Sequence, residues 1–151
     1  MLNKNERAFL EKAKKKPSLI NYLYGELTDT NKIIDVLGID KDSVVLDVGV
    51  GKGTLLTKLI MKAGCKGIGV EPILERYQQA VSLMKKYNLE DKLELQRAHY
   101  PCKLILKPTH VILHACAFSG KNIKNVYDAL PRNVKILHNS LKLKRYAHND
   151  K

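Results

Sequence analysis

Apolar and polar positions alternate along this chain in two rhythms. Residues 43–48, Ser-Val-Val-Leu-Asp-Val, form a nearly continuous apolar run rich in β-branched side chains. Such a run predicts a strand buried on both faces, as in a parallel sheet. Residues 54–63 follow, with Leu55, Leu56, Leu59, Ile60 and Ala63 on one helical face. The same pairing recurs. Residues 67–70 predict a second strand and 74–87 a helix, with Leu74, Tyr77, Val81 and Met84 at helical spacing. Residues 93–96 and 109–114 predict two more strands, 122–130 a helix, and 134–137 a fifth strand. Upstream, Ile33, Ile34, Val36 and Leu37 predict an amphipathic helix, with possible N-caps at Thr28, Asp29 and Thr30 and a stop at Gly38.

Strands alternating with helices at this pitch predict βαβ units, and so an α/β fold around an open sheet. Residues 1–18 read as a basic tail or frayed helix ending at Pro17, and residues 19–151 as a single domain.

Composition narrows the class. With 44% hydrophobic and 28% charged residues the chain can bury a core. No apolar run approaches the roughly 18–20 residues that span a bilayer. Residues 1–16 lack the apolar stretch of a secretory signal. Cys65, Cys102 and Cys116 are odd in number and far apart, which excludes a disulfide framework, and none lies in a CxxC or Cys/His spacing, which argues against a zinc site. An intracellular setting is expected, nuclear or cytoplasmic, with no membrane association.

The net charge is +12, with 27 Lys and Arg against 15 Asp and Glu. The excess is segregated: residues 1–16 carry +4, residues 17–101 are neutral, and residues 102–151 carry +8. Basic end segments attract polyanions such as nucleic acid, nucleosomes or acidic proteins. The basic residues are 22 Lys and 5 Arg, which suits phosphate attraction better than bidentate base reading.

The sharpest motif is Asp47-Val-Gly49-Val-Gly51-Lys-Gly53-Thr54, between the first predicted strand and its helix. Glycines there let the chain turn tightly and let a ligand approach the backbone at the carboxyl edge of the sheet. Glu71 ends the next strand, where an acid can accept hydrogen bonds from ribose hydroxyls. A P-loop is excluded, since Lys52 is followed by Gly53 and Leu46 stands at the first glycine position. A dinucleotide fingerprint wants Gly or Ala where Thr54 stands. The loop with its downstream acid fits S-adenosylmethionine better, because there is no pyrophosphate to seat. A purely structural turn is the remaining alternative.

Tyr24-Gly25-Glu26 before a helix, the 47–54 loop and Gly69-Val70-Glu71, in that order, resemble the non-SET nucleosomal histone lysine methyltransferases, the disruptor of telomeric silencing family. So do Arg97-Ala-His-Tyr100 after the third predicted strand and Val111-Ile-Leu-His-Ala-Cys-Ala-Phe118 at the fourth. The similarity covers roughly residues 22–141. It implies a Rossmann-like class I S-adenosylmethionine-dependent methyltransferase fold with a mostly parallel sheet and helices on both faces. It implies a lysine N-methyltransferase acting on a nucleosome, histone or other basic-tailed protein.

Carried over by position, Tyr24, Glu26 and Thr28 close over the methionine end of the cofactor, with Leu27 in place of the family's threonine. Asp47 and Gly49, with Gly51, Gly53 and Thr54, meet the methionine amine and carboxylate, and Glu71 holds the ribose. Tyr100 lies near the adenine, with Ala98-His99 replacing Gly-Asp. His114 stands at the first asparagine of the fourth-strand motif and, with Tyr24, is the candidate for the transfer site; Ala115 replaces the second asparagine. Residues 141–151 are too few for the family's final hairpin, so that hairpin is expected to be short or missing, with Tyr146 the one aromatic there. Methylation of RNA or DNA, and a non-catalytic binding role on a decayed methyltransferase fold, stay open beside the lysine reading. His99, His110 and His138 read as structural histidines, Cys116 as a core residue, Tyr77 and Tyr87 as helix packing, and Tyr22 as a core candidate.

Overall fold

In a computed structural model of the protein, residues 3–5, 19–25, 27–114 and 120–149 are described. The expected 1–18 tail therefore lies almost wholly outside the described residues, as do Glu26, Ala115 and Cys116.

Six strands, β1 (Leu19–Tyr22), β2 (Val44–Val48), β3 (Lys66–Val70), β4 (Leu93–Gln96), β5 (His110–Leu113) and β6 (Lys135–His138), form one sheet in the order β1-β6-β5-β2-β3-β4. Every pairing is parallel. Among the described residues five helices accompany them: α1 (Thr30–Leu37), α2 (Thr54–Ala63), α3 (Leu74–Lys86), α4 (Gly120–Ala129) and, after the last strand, α5 (Leu141–Asn149). The order reverses between β2 and β5, the place where an open sheet of this kind leaves a crevice at its carboxyl edge.

Alternation along the strands divides the core into two layers. Val45, Ile112 and Leu137 face Ile33 and Leu37 of α1 and Leu56, Leu59 and Ile60 of α2. Leu46, Val48, Ile68, Val70, Val111, Leu113 and Ile136 face Ile123, Val126 and Tyr127 of α4 and Leu143 and Ala147 of α5. Glycine in β3 lets the first layer close. A Cβ at Gly67 would stand 2.8 Å from Ile60 Cδ1, and one at Gly69 would stand 2.8 Å from Leu95 Cδ2 and 3.0 Å from both methyls of Val50.

The helix ends follow the expected chemistry. Asp29 caps α1 by accepting from the Lys32 amide at 3.2 Å, and Gly38 ends it with φ +67°. Two elements were not expected. β1 adds an edge strand paired in parallel with β6, and α5 occupies the segment read as the remnant of a hairpin. Tyr87 is not packing: it is 41% exposed at the end of α3, with Lys86 Nζ 5.5 Å from its ring centre. Tyr22 is half-buried, its ring 5.5 Å from that of the buried His138.

Candidate functional site

The carboxyl ends of β2 and β3 carry the site, because the tight loop between β2 and α2 folds back over β3. Gly49 and Val50 both donate to the carbonyl of Val70, at 2.8 and 3.0 Å, and Val50 is buried over Gly69. Gly49, Gly51 and Gly53 have φ of +81°, +60° and +82°, a region open to glycine at little cost. At Gly53 the constraint is also steric, since a Cβ would stand 3.2 Å from Ala80 Cβ of α3.

Glu71, buried at the end of β3, locks this loop. Its Oε1 accepts from the Gly51 amide and its Oε2 from the Ile73 amide, each at 2.9 Å. Each carboxylate oxygen retains a second acceptor site. Asp47 is buried at the end of β2. Burial, reinforced by the nearby Glu71 carboxylate, pushes its carboxyl up to about 7.

The loop after β4 forms the opposite wall. Along it burial alternates, with Cys102, Leu104 and Leu106 turned to the core and Lys103, Ile105 and Lys107 outward. Glu94 on β4 fixes it. Its Oε2 accepts from the Ile105 amide at 3.0 Å and its Oε1 from the Leu106 amide at 2.8 Å, while the Gln96 side chain bridges from Glu94 to the Lys103 carbonyl. Burial alone would push the Glu94 carboxyl up, but these donors hold it below its ordinary value.

Between the walls lies a cavity of about 550 Å³. Val48, Gly49, Val70 and Glu71 form its floor; Pro72, Ile73 and Arg76 lie at one end. Ala98, His99, Tyr100 and Pro101 make the loop wall, and Asn122, Asn125 and Val126 of α4 close the other side. The volume is within the usual range of small-molecule sites, roughly 300–1,000 Å³.

Of the residues expected from sequence, the cavity brings together Gly49, Glu71 and Tyr100. Tyr100 is half-buried and its hydroxyl donates to the Ala129 carbonyl at 3.2 Å; burial and, less, Cys102 push its phenol up. Asp47, Gly51, Gly53 and Thr54 do not line the cavity: Asp47 and Gly53 are buried, Gly51 is half-buried and Thr54 is exposed. His114 is half-buried just past β5. Thr28 is exposed, and Tyr24 is 87% exposed on a loop pinned by Asn139, whose Nδ2 donates to the Gly25 carbonyl at 2.8 Å. Leu27, at the resemblance's threonine position, is buried in the core.

Arg76, Asn122 and Asn125 were not anticipated. The two asparagines stand three apart on a helix that opens just beyond a strand end, a polar pair on one face that the sequence carries openly. His99, read as structural, lines the cavity. His110 and His138 fit that reading. His110 lies at the opposite edge of the sheet with Nδ1 2.7 Å from Thr109 Oγ1, its imidazole pushed down chiefly by burial. His138 Nδ1 accepts from the Ser140 amide. Among the described residues no cluster of His, Cys, Asp or Glu could hold a metal ion, and no helix is long and apolar enough to cross a membrane.

The backbone is similar to solved methyltransferases. An RNA methyltransferase from Salinibacter ruber, in complex with S-adenosyl-L-homocysteine, superposes with a TM-score of 0.59 at 17% identity, over 69% of this chain and 68% of that one. The C-terminal domain of precorrin-6Y C5,15-methyltransferase from Rhodobacter capsulatus gives 0.64 at 16% identity, over 89% and 78%. An S-adenosylmethionine-dependent methyltransferase from Thiobacillus denitrificans, in complex with S-adenosyl-L-homocysteine, gives 0.61 at 14% identity, over 86% of this chain; this chain spans 54% of that protein's length. No protein-family model and no curated protein sequence matches. The fold is the Rossmann-like fold of the class I S-adenosylmethionine-dependent methyltransferases. The likeness to nucleosomal lysine methyltransferases rests on the sequence motifs alone.

Proposed function

We propose that the chain binds S-adenosylmethionine in the cavity above Gly49 and Glu71 and transfers its methyl group to an acceptor. The observation that carries this reading is the position of the cavity. It opens at the carboxyl ends of the adjacent strands β2 and β3, with Gly49 of the glycine loop and the acid Glu71 on its floor.

The cofactor, when bound, supplies an electrophilic sulfonium methyl group. The residues of the chain bind and orient. Glu71, already fixed by two amides, offers its remaining acceptor sites to vicinal hydroxyls. Pro72 and Ile73 give an apolar surface for a flat ring, and Tyr100 closes the far wall. Asp47, buried at the end of β2, gains charge when a cationic ligand favours its ionised form. Direct displacement needs little more than positioning.

The finer reading, N-methylation of a lysine in a histone-like protein, is supported by the order of motifs around Tyr24 and His114. Glu26 and residues 115–119 of those motifs lie outside the described residues. A lysine acceptor must lose its proton first, from a reference pKa of about 10.4.

Two measurements test the proposal. Calorimetry should show S-adenosylhomocysteine binding, and binding of NAD in preference to it would overturn the assignment. Incubation with labelled S-adenosylmethionine and separate pools of nucleosomes, free histones and RNA should then transfer label to one pool. Cofactor binding with no transfer to any pool would leave a non-catalytic relative of the fold.

A further inference from the structure

Between Gly120 and Asn149 the sequence has seven lysines and arginines against one aspartate, Asp128. The fold gathers most of them on the side of the sheet covered by α4 and α5, and it orders two of them on aromatic rings. Lys124 Nζ sits 5.2 Å from the ring centre of Tyr146, and Lys144 Nζ sits 4.7 Å from that of Tyr22 on β1. The Tyr146 ring is itself held edge-on against Tyr127 at 5.6 Å. The lone acid is engaged there too, both Asp128 oxygens accepting from the Tyr146 hydroxyl at 2.9 and 3.0 Å. Lys142, Lys144 and Arg145 are all exposed on α5.

Lysines resting on rings have given up part of their rotamer freedom, so meeting a phosphate costs them less. Ring and ammonium also attract each other, which makes the arrangement persistent. The patch is tied to the cavity through α4. Asn122 and Asn125 face the cavity, while Lys124 faces α5 across the same helix. The two flanks are about one helix diameter apart, ~10 Å, which roughly three stacked nucleotides span.

From this juxtaposition we infer that the α4–α5 face holds the phosphodiester backbone of a nucleic acid whose acceptor base or ribose enters the cavity. The second half of that statement rests on the methyl-transfer reading above; the first does not. A lysine-rich protein tail would meet repulsion on this face, whereas a polyphosphate chain gains from it and releases counterions.

The test uses the full chain with a short labelled single-stranded RNA, its DNA counterpart and polyglutamate as competitor. The triple variant Lys124→Gln/Lys144→Gln/Arg145→Gln, whose changes are confined to the surface, should bind RNA and DNA at least about tenfold more weakly at about 50 mM salt. Its slope of log affinity against log salt should be shallower by about 2, as expected for three charges on a single strand. Lys124→Arg/Lys144→Arg should bind as the parent does. Unchanged binding by the triple variant, or polyglutamate competing as well as RNA, would overturn the inference. Label transferred to histone tails and not to RNA would overturn the assignment of acceptor. S-adenosylhomocysteine binding should be equal in parent and variant. If neither binds it while RNA binding behaves as stated, the methyltransferase reading fails and the surface stands.

Discussion

Glu71 Oε1 accepts a hydrogen bond of 2.9 Å from the Gly51 amide, so the acid that ends β3 braces the glycine loop that follows β2. One side chain thus sets the floor of the cavity and supplies acceptors to it. Glu71→Gln sets an NH₂ against the Gly51 or Ile73 amide; Glu71→Ala removes both acceptors. Hydrogen bonds to a charged group are worth on the order of 1.5–3 kcal/mol each. Both variants should lose roughly that much stability in urea denaturation, and at least about tenfold in S-adenosylhomocysteine affinity by calorimetry. Lost stability with unchanged affinity would reduce Glu71 to a brace.

Asp47 gives a pH dependence of defined sign. Its carboxyl is pushed up from 3.8 to about 7 by burial and then by Glu71. The folded chain holds this proton more tightly than the unfolded chain does. The stability it contributes is therefore full below about pH 4 and lost as pH rises through about 7, several kcal/mol in all. Asp47→Asn should flatten denaturation midpoints between pH 4 and 7 and stabilise the empty protein at pH 8. A cationic ligand favours the ionised form, so S-adenosylmethionine binding near pH 6.5 should release protons, read from calorimetry in buffers of different ionisation enthalpy. Midpoints for Asp47→Asn that track the parent across this range would contradict the assignment.

The β2–α2–β3 unit was legible from sequence for a physical reason. Parallel strands buried on both faces need unbroken apolar runs, and Gly53 and Gly64 flank α2 on either side. β1 was not legible: four residues with Asn21 among them become a strand only because β6 pairs with them. Of the described side chains of α5 only Leu143 and Ala147 are buried, and its first turn is capped by Ser140, whose hydroxyl accepts from the Leu143 amide at 3.1 Å. In the site, Gly49 and Glu71 could be read because neighbouring strand ends supply them. Arg76 could not, and Asn122 and Asn125 show in the sequence only as a polar helix face, because which side of a helix meets the cavity is settled by packing.

Two glycines of the loop separate strain from crowding. At Gly51, φ is +60° and a Cβ would meet nothing within 4 Å, so Gly51→Ala should cost about 1 kcal/mol from backbone strain alone. At Gly53 a Cβ would also meet the Ala80 backbone and side chain at 3.4 and 3.2 Å. Gly53→Ala should therefore cost clearly more, on the order of 2–3 kcal/mol, by pushing α2 from α3. Urea denaturation of the two variants checks the order. Gly51→Ala proving the more destabilising would mean that the loop packs differently from this description.

Glu94 is a positioning residue for the wall that carries His99, Tyr100 and Pro101. It stands on the edge strand β4, where no further strand satisfies backbone groups, and takes the Ile105 and Leu106 amides in place of a ladder. Its carboxyl lies below its ordinary value, so the clamp is complete above about pH 4.5 and is lost as pH falls through that lowered value. Glu94→Gln leaves one acceptor and sets an NH₂ against the second amide; Glu94→Ala leaves neither. Amide exchange at Ile105 and Leu106 should accelerate at least about tenfold in Glu94→Ala and by less in Glu94→Gln, while exchange in β2 and β5 stays unchanged. Affinity for S-adenosylhomocysteine should fall in the same order, and so should affinity for adenosine alone, because this wall faces the ring end of the cavity. Faster exchange across the whole sheet would point to general destabilisation instead, and unchanged exchange at both amides would show that the leucines of the segment hold the wall without Glu94.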